Sequence, residues 1–293
     1  MDLMLEIGGR PLCIAGAPWS PETVPANFRP FVRPADSVPD GAARLAVVYT
    51  DAAARVPASR PLSESYNDLG RAAIYDGGDC WSIVLIPHPG EQPRVMDMDR
   101  GLRSATLRLR PGDPYTDFVI DSMARIFFSQ HIAAGGDFLV HASAVGCGGR
   151  ACMFMGKSGT GKSTHSRLWL DTFADAELIN DDCPMIRRIS EGRYLVCGTP
   201  WSGKTPCWRD TSLPLAGIVR LSQAPANRFV PLAGVDAFVA FIPGMSVMTA
   251  DPALYSAASS AALDLTASVA VGRLECLPDA DAARMCRAAL YPD

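Results

Sequence analysis

A cysteine pattern is the first thing this sequence lacks. Its nine cysteines, at 13, 80, 147, 152, 183, 197, 207, 276 and 286, form no C-x-x-C pair and no cluster with histidine. An odd, scattered set excludes a disulfide framework and a zinc site and fits reduced thiols. No uninterrupted apolar run is long enough to span a bilayer, so no membrane association is expected. No basic segment followed by an apolar one opens the sequence, and the expectation is a cytoplasmic protein without a secretory leader. Excess positive charge is also missing: the net charge is −4, which argues against nucleic acid as a partner. No internal repeat is visible.

What is present suits a packed core. The 293 residues are 48% hydrophobic and 20% charged, enough for one large domain or two ordinary ones. Residues 1–112 read as a β-rich domain. Pro18, Pro21, Pro25, Pro30, Pro34 and Pro39 exclude regular helix or central strand over that stretch. Strands are expected at 45–50, 73–75, 80–86 and 106–110, with Asp76-Gly77-Gly78 as a hairpin turn. In the last strand Leu107 and Leu109 alternate with Arg108 and Arg110, as in a half-exposed strand. A helix is expected next, with Asp113 as N-cap, Pro114 at its first position and an apolar stripe of Phe118, Val119, Met123, Ile126 and Phe127. Gly135-Gly136 closes it before a strand at 138–142. From 113 to 293 strands alternate with loops and helices, an α/β domain. Asp251-Pro252 opens a helix to about 263, and Asp279 caps a final one.

The strongest motif is Gly156-Lys157-Ser158-Gly159-Thr160-Gly161-Lys162-Ser163, which matches G-x-x-x-x-G-K-[ST] at every defined position. An apolar segment precedes it and a helix-compatible stretch, beginning with Thr164, follows. Glycines let such a loop curl so that successive N–H groups face phosphate oxygens, and the helix N-terminus adds positive partial charge. The motif predicts a P-loop for ATP with Mg²⁺. Lys162 is expected on the β- and γ-phosphates and Ser163 on the metal.

Phosphoryl transfer also needs a metal-holding carboxylate and a base. Asp181-Asp182 follows the apolar pair Leu178-Ile179 and falls at the end of the next strand. One carboxylate is expected to support Mg²⁺ and the other to accept a proton from the attacking hydroxyl. His141, on the strand before the loop, reads from spacing alone as either a core residue or a site residue. His165 is expected on the surface of the P-loop helix, and His88 and His131 carry no functional reading.

Taken together, Val140-His141, the 156–163 loop and Asn180-Asp181-Asp182 resemble the HPr kinase/phosphorylase-related kinases. These belong to the phosphoenolpyruvate carboxykinase-like superfamily. The residues around His141 and the string Gly198-Thr199-Pro200-Trp201-Ser202-Gly203-Lys204 are similar to members that phosphorylate a serine on lasso-peptide precursors. The resemblance spans residues 113–293. It implies a P-loop kinase domain preceded by a smaller β-rich domain, with His141 near the γ-phosphate, Asp182 as proton acceptor and Asp181 supporting the metal. The family's glutamate after the acidic pair is replaced here by 198–204. Its downstream catalytic arginine has three counterparts to choose from, Arg209, Arg220 and Arg228.

The expected activity is transfer of the γ-phosphoryl group of ATP to a hydroxyl, first of all a serine of a peptide or protein. A small-molecule hydroxyl kinase and a nucleotide-dependent binding module are the alternatives. Homo-oligomerisation is left open.

Overall fold

Alternating burial builds the first sheet. The computed structural model describes residues 2–20, 22–34, 38–67, 70–203 and 205–291; Pro21 and Lys204, named above, lie outside them. Eight strands come first: β1 (Leu3–Ile7), β2 (Arg10–Ala15), β3 (Ala43–Tyr49), β4 (Ser63–Asn67), β5 (Gly70–Asp76), β6 (Cys80–Ile86), β7 (Arg94–Asp99) and β8 (Ser104–Leu109). In β3, Ala43, Leu45 and Val47 are buried between exposed Arg44 and Val48. In β8, Ala105, Leu107 and Leu109 are buried in the same way. That period of two gives each strand one core face. The sheet order is β1-β2-β3-β8-β7-β6-β5-β4. β2, β3 and β8 run parallel, and the other neighbours are antiparallel. The β5–β6 hairpin turns where the sequence predicts, with Gly78 at a φ of 82° that favours glycine.

Helix α1 (Thr116–Ala133) follows and packs on β2, β3, β7 and β8 through a face that includes Val119, Ile120, Met123 and Phe127. Asp113 is not its N-cap. The Asp113 carboxylate accepts the Tyr115 N–H at 2.9 Å and is gripped by Arg94 Nε and Nη2 at 2.9 and 2.8 Å. The buried arginine takes the carboxylate, and Tyr115 stands at the N-cap without a side-chain bond. Trp19 and Asn27 tie the proline-rich segment to the helix through Asp117 and Asp121, both at 2.7 Å. The chain divides into two compact units, Met1–Ala134 with Met248–Tyr255, and Gly135–Val247 with Ser256–Asp293. The sequence boundary at 112/113 therefore differs from the structural one by α1, whose apolar stripe belongs to the first sheet.

The second unit contains β9 (Phe138–Leu139), β10 (Ala142–Cys147), β11 (Arg150–Met155), α2 (Lys162–Thr172), β12 (Glu177–Asp182), β13 (Met185–Ser190), β14 (Arg193–Cys197), β15 (Ser212–Gln223), β16 (Arg228–Leu232), α3 (Gly234–Phe241), most of α4 (Pro252–Ser268), β17 (Ala270–Cys276) and α5 (Ala280–Leu290). Its sheet runs β12-β10-β11-β15-β14-β13-β9, and β17 joins β15 to β16. β11 lies antiparallel to β10 and parallel to β15. Alternate residues of β11 enter two cores. Ala151, Met153 and Met155 pack with Phe241, Ala258 and Ala262, while Cys152 and Phe154 pack with Trp169 of α2 and Ala283 and Cys286 of α5. A strand covered on both faces must be apolar throughout, which accounts for its unbroken hydrophobic run.

Asp251 Oδ1 accepts the Ala253 and Leu254 N–H groups, both at 3.0 Å, and Asp279 Oδ1 accepts that of Ala282 at 2.9 Å. Both caps fall where the sequence puts them. α4 continues past 263 to Ser268 because buried Ala258, Ala262 and Leu265 extend its apolar stripe. Among the described residues no helix is long and apolar enough to cross a membrane.

Candidate functional site

β11 delivers the chain to Gly156, and α2 takes it up again at Lys162. Between them Gly159 and Gly161 adopt φ of 79° and 103°, a region that side chains disfavour. The Thr160 N–H donates to the Lys157 carbonyl at 3.1 Å, the Thr160 hydroxyl reaches the same oxygen, and Gln223 Nε2 donates to the Gly159 carbonyl at 3.4 Å. Gly161 is the N-cap of α2 and brings no capping side chain. The first-turn N–H groups, from Lys162, Ser163 and Thr164, are thus open to an anion, and the helix dipole favours one. Lys157, Ser158, Gly159 and Thr160 line a cavity of about 390 Å³ with Arg220, Leu221, Ser222 and Gln223.

Lys162 turns back over the loop. Its Nζ donates to the Gly156 carbonyl at 3.2 Å and lies 2.9 Å from His141 Nε2. His141 Nδ1 lies 3.1 Å from Asp182 Oδ1. An ammonium only donates, so Nε2 accepts and the proton sits on Nδ1, which donates to Asp182; the tautomer is assigned by this network. Burial lowers the Lys162 pKa, against the charges of Asp182 and Asp181, which raise it.

His141 stands where the chain passes from β9, paired with β13, to β10, paired with β11 and β12. Its backbone N–H donates to the Gly244 carbonyl at 2.8 Å, and its neighbour Val140 donates to Pro184 at 3.0 Å. This break between strands leaves the imidazole half exposed.

The two aspartates end β12 opposite Ser143 and Ala142 of β10. Asp182 is partly exposed, whereas Asp181 is 6% exposed and its buried Oδ1 has no hydrogen-bond partner among the described residues. A carboxylate oxygen buried without a donor is costly unless a cation supplies the missing charge. Asp181 and Asp182 offer only oxygen donors, the ligand type that a hard divalent ion prefers.

Sequence reasoning gave no role to the residues that hold this strand end. Asn180 Oδ1 accepts the N–H groups of Asp182 and Cys183 at 3.0 and 2.8 Å, and its Nδ2 donates to the Trp201 carbonyl at 3.0 Å. The Thr199 hydroxyl donates to the Cys183 carbonyl at 2.7 Å. The 198–203 segment presses against the same strand: a Cβ on Gly203 would lie 2.7 Å from the Asp181 carbonyl, and one on Gly198 3.3 Å from that of Ile179 and 1.9 Å from that of Arg209, outside the strand. An asparagine inside a strand, where the residue type is depleted, is the signal that could have found Asn180.

Of the three arginines, Arg220 lines the cavity beside the loop and donates to the Ala240 carbonyl at 3.1 Å. Arg209 is held by Glu177 at 2.6 Å and the Leu178 carbonyl at 2.8 Å. Arg228 is paired in register with Glu275. His165 is not on the helix surface. It is 3% exposed, accepts Trp169 Nε1 at 3.1 Å and stacks edge-on with Phe154 at 4.7 Å. Trp169, one turn on, draws it to the inner face of α2, and burial pushes its pKa down to about 4.

No model of a known protein family matches the chain, and no curated protein does. Among solved structures the chain is similar to the Hpr(Ser) kinase/phosphatase from Coxiella burnetii, at 10% identity and a TM-score of 0.30. The match covers 52% of this chain and 92% of that one. A likeness of that degree carries no weight on activity, substrate or site.

Proposed function

We propose that the second unit is a P-loop ATP-binding domain. More particularly, we propose a kinase that transfers the γ-phosphoryl group to a hydroxyl, with a serine of a peptide or protein as acceptor. The observation that carries this reading is the Lys162–His141–Asp182 chain, which links the loop's lysine to a carboxylate through one imidazole. The part of it that remains when Lys162 turns to phosphate, His141 on Asp182, orients a carboxylate that nucleotide binding alone does not require.

Gly156, Lys157, Ser158, Gly159, Thr160 and Gly161 present backbone to the phosphates, and Lys162, Ser163 and Thr164 add the N–H groups of the helix start. Lys162 leaves His141 for the β- and γ-phosphates. Ser163 and Asp181 would hold Mg²⁺, which when bound neutralises phosphate charge. Asp182, oriented by His141 Nδ1–H, takes the proton of the acceptor hydroxyl. The acceptor oxygen then bonds to the γ-phosphorus, and the bond from that phosphorus to the β–γ bridging oxygen breaks to release ADP. Arg220, beside the loop, stabilises the transferring charge. The order of His141, the loop and Asp181-Asp182 supports placing the domain with the HPr-kinase-like members of the phosphoenolpyruvate carboxykinase-like superfamily.

The test is γ-labelled ATP offered with serine peptides and hydroxyl metabolites, read by mass spectrometry. Magnesium-dependent label on a serine peptide is expected; label on a free metabolite alone would replace the peptide acceptor with a small molecule. Lys162→Ala is expected to abolish ATP binding in calorimetry while circular dichroism stays unchanged. Undiminished affinity in that variant overturns the loop's assignment.

A further inference from the structure

A cavity of about 770 Å³ lies wholly in the first unit, at the ends of the parallel strands β3 and β8 and the start of β7. Its volume falls in the range of ligand sites. Four arginines line it, Arg55, Arg94, Arg108 and Arg110, against two aspartates, Asp97 and Asp113. Two of these arginines are committed. Arg94 is buried and bidentate on Asp113, and Arg108 is paired with Asp97. Arg55 and Arg110 are exposed, and neither guanidinium makes a hydrogen bond or ion pair among the described residues, though the Arg110 carbonyl accepts the Asp113 N–H at 3.2 Å and its charge helps to lower the Asp113 pKa. Four arginines set against two aspartates leave the lining net positive, in a chain whose net charge is −4. A local positive potential in an acidic protein selects an anion.

The walls are not purely ionic. Val48, Pro93 and Pro111 add apolar surface to the lining, and Ala52, Ala53 and Ala54 add small side chains. A free inorganic anion would use the arginines and leave that apolar surface and most of the volume idle. A peptide with carboxylates spaced between apolar side chains uses all three. We propose that this cavity binds an acidic peptide segment, its carboxylates on Arg55 and Arg110 and its apolar side chains on Val48, Pro93 and Pro111. Attribution of that segment to the phosphoryl acceptor rests on the kinase reading; the binding itself does not.

Fluorescence anisotropy on the full chain at low salt tests it, with a short labelled peptide alternating glutamate and leucine and its glutamine counterpart. The acidic peptide is expected to bind at least about tenfold more tightly than the glutamine one. The double variant Arg55→Glu/Arg110→Glu is expected to lose the acidic peptide and gain a lysine-containing one, with an unchanged thermal midpoint as the control for folding. Equal binding of the glutamate and glutamine peptides, or indifference to charge reversal, overturns the proposal. So does displacement of the peptide by inorganic phosphate or free glutamate at matching concentrations, which would make the cavity a small-anion site. Failure of ATP binding in the same protein would sink the kinase reading and leave the peptide result standing.

Discussion

At the scale of single residues, the relay separates binding from chemistry. On the kinase reading proposed above, phosphate contacts belong to the 156–164 backbone and Lys162, whereas Asp182 meets the acceptor's proton. Asp182→Asn keeps the side chain's size and an oxygen to accept from His141. It is expected to leave ATP affinity near wild type and slow single-turnover transfer by roughly 10²–10⁴-fold. Transfer at the wild-type rate would refute Asp182 as base. Asp181→Asn is expected to raise the Mg²⁺ concentration for half-maximal rate, since it alters the orphaned oxygen. His165 predicts a pH effect unrelated to catalysis. Burial holds its pKa at about 4, against 6.5 for the ordinary imidazole, so below pH 6.5 the unfolded chain binds a proton that the folded one refuses. Its contribution to stability is therefore full above pH 6.5 and lost as pH falls towards 4, by about 3 kcal/mol at most. Urea titrations at several pH values should show a shallower slope in His165→Gln. The two histidines also mark what sequence spacing resolves. His141 read from spacing as either a core or a site residue, and only the family resemblance put it near the loop. His165 was misplaced because one helical turn to Trp169 gives it an inner-face partner that no motif records.

At the scale of elements, the 198–203 segment behaves as a brace for the end of β12. Gly198→Ala puts a methyl group 1.9 Å from a backbone oxygen, and backbone cannot rotate away as a side chain can. A loss of about 1–3 kcal/mol is expected by chemical denaturation. A fall in transfer should accompany it, because Thr199 and Asn180 then lose their geometry around Asp182. Unchanged stability and rate would show that the brace is dispensable. The strand at 106–110 was legible from alternation, those at 45–50 and 80–86 from their apolar runs, and the 251 and 279 helix starts from their capping aspartates. The α1 start was not, because Asp113 is claimed by Arg94, nineteen residues earlier in the chain. Nor was the bend at Val140 and His141, which depends on carbonyls of Pro184 and Gly244 far along the chain. Local pattern records what a residue prefers; it does not record which distant partner will compete for it.

At the scale of the molecule, two units carry two separable ligand readings. Hydrogen exchange with Mg²⁺ and ATP is expected to slow at 156–164, 180–183 and 198–203 and to leave β1–β8 unaffected. Protection spread evenly over both units would contradict a nucleotide site confined to the second. The pairing of β11 also has a consequence for synthesis. Its parallel neighbour is β15, whose matching residues, Leu215 to Arg220, leave the ribosome about sixty residues after the loop. At about 5–20 residues per second, β11 waits several seconds for its second neighbour. During that interval one edge of the apolar run Ala151–Met155 is open, so the nascent chain is exposed to misassociation just after the 156–163 loop has been made.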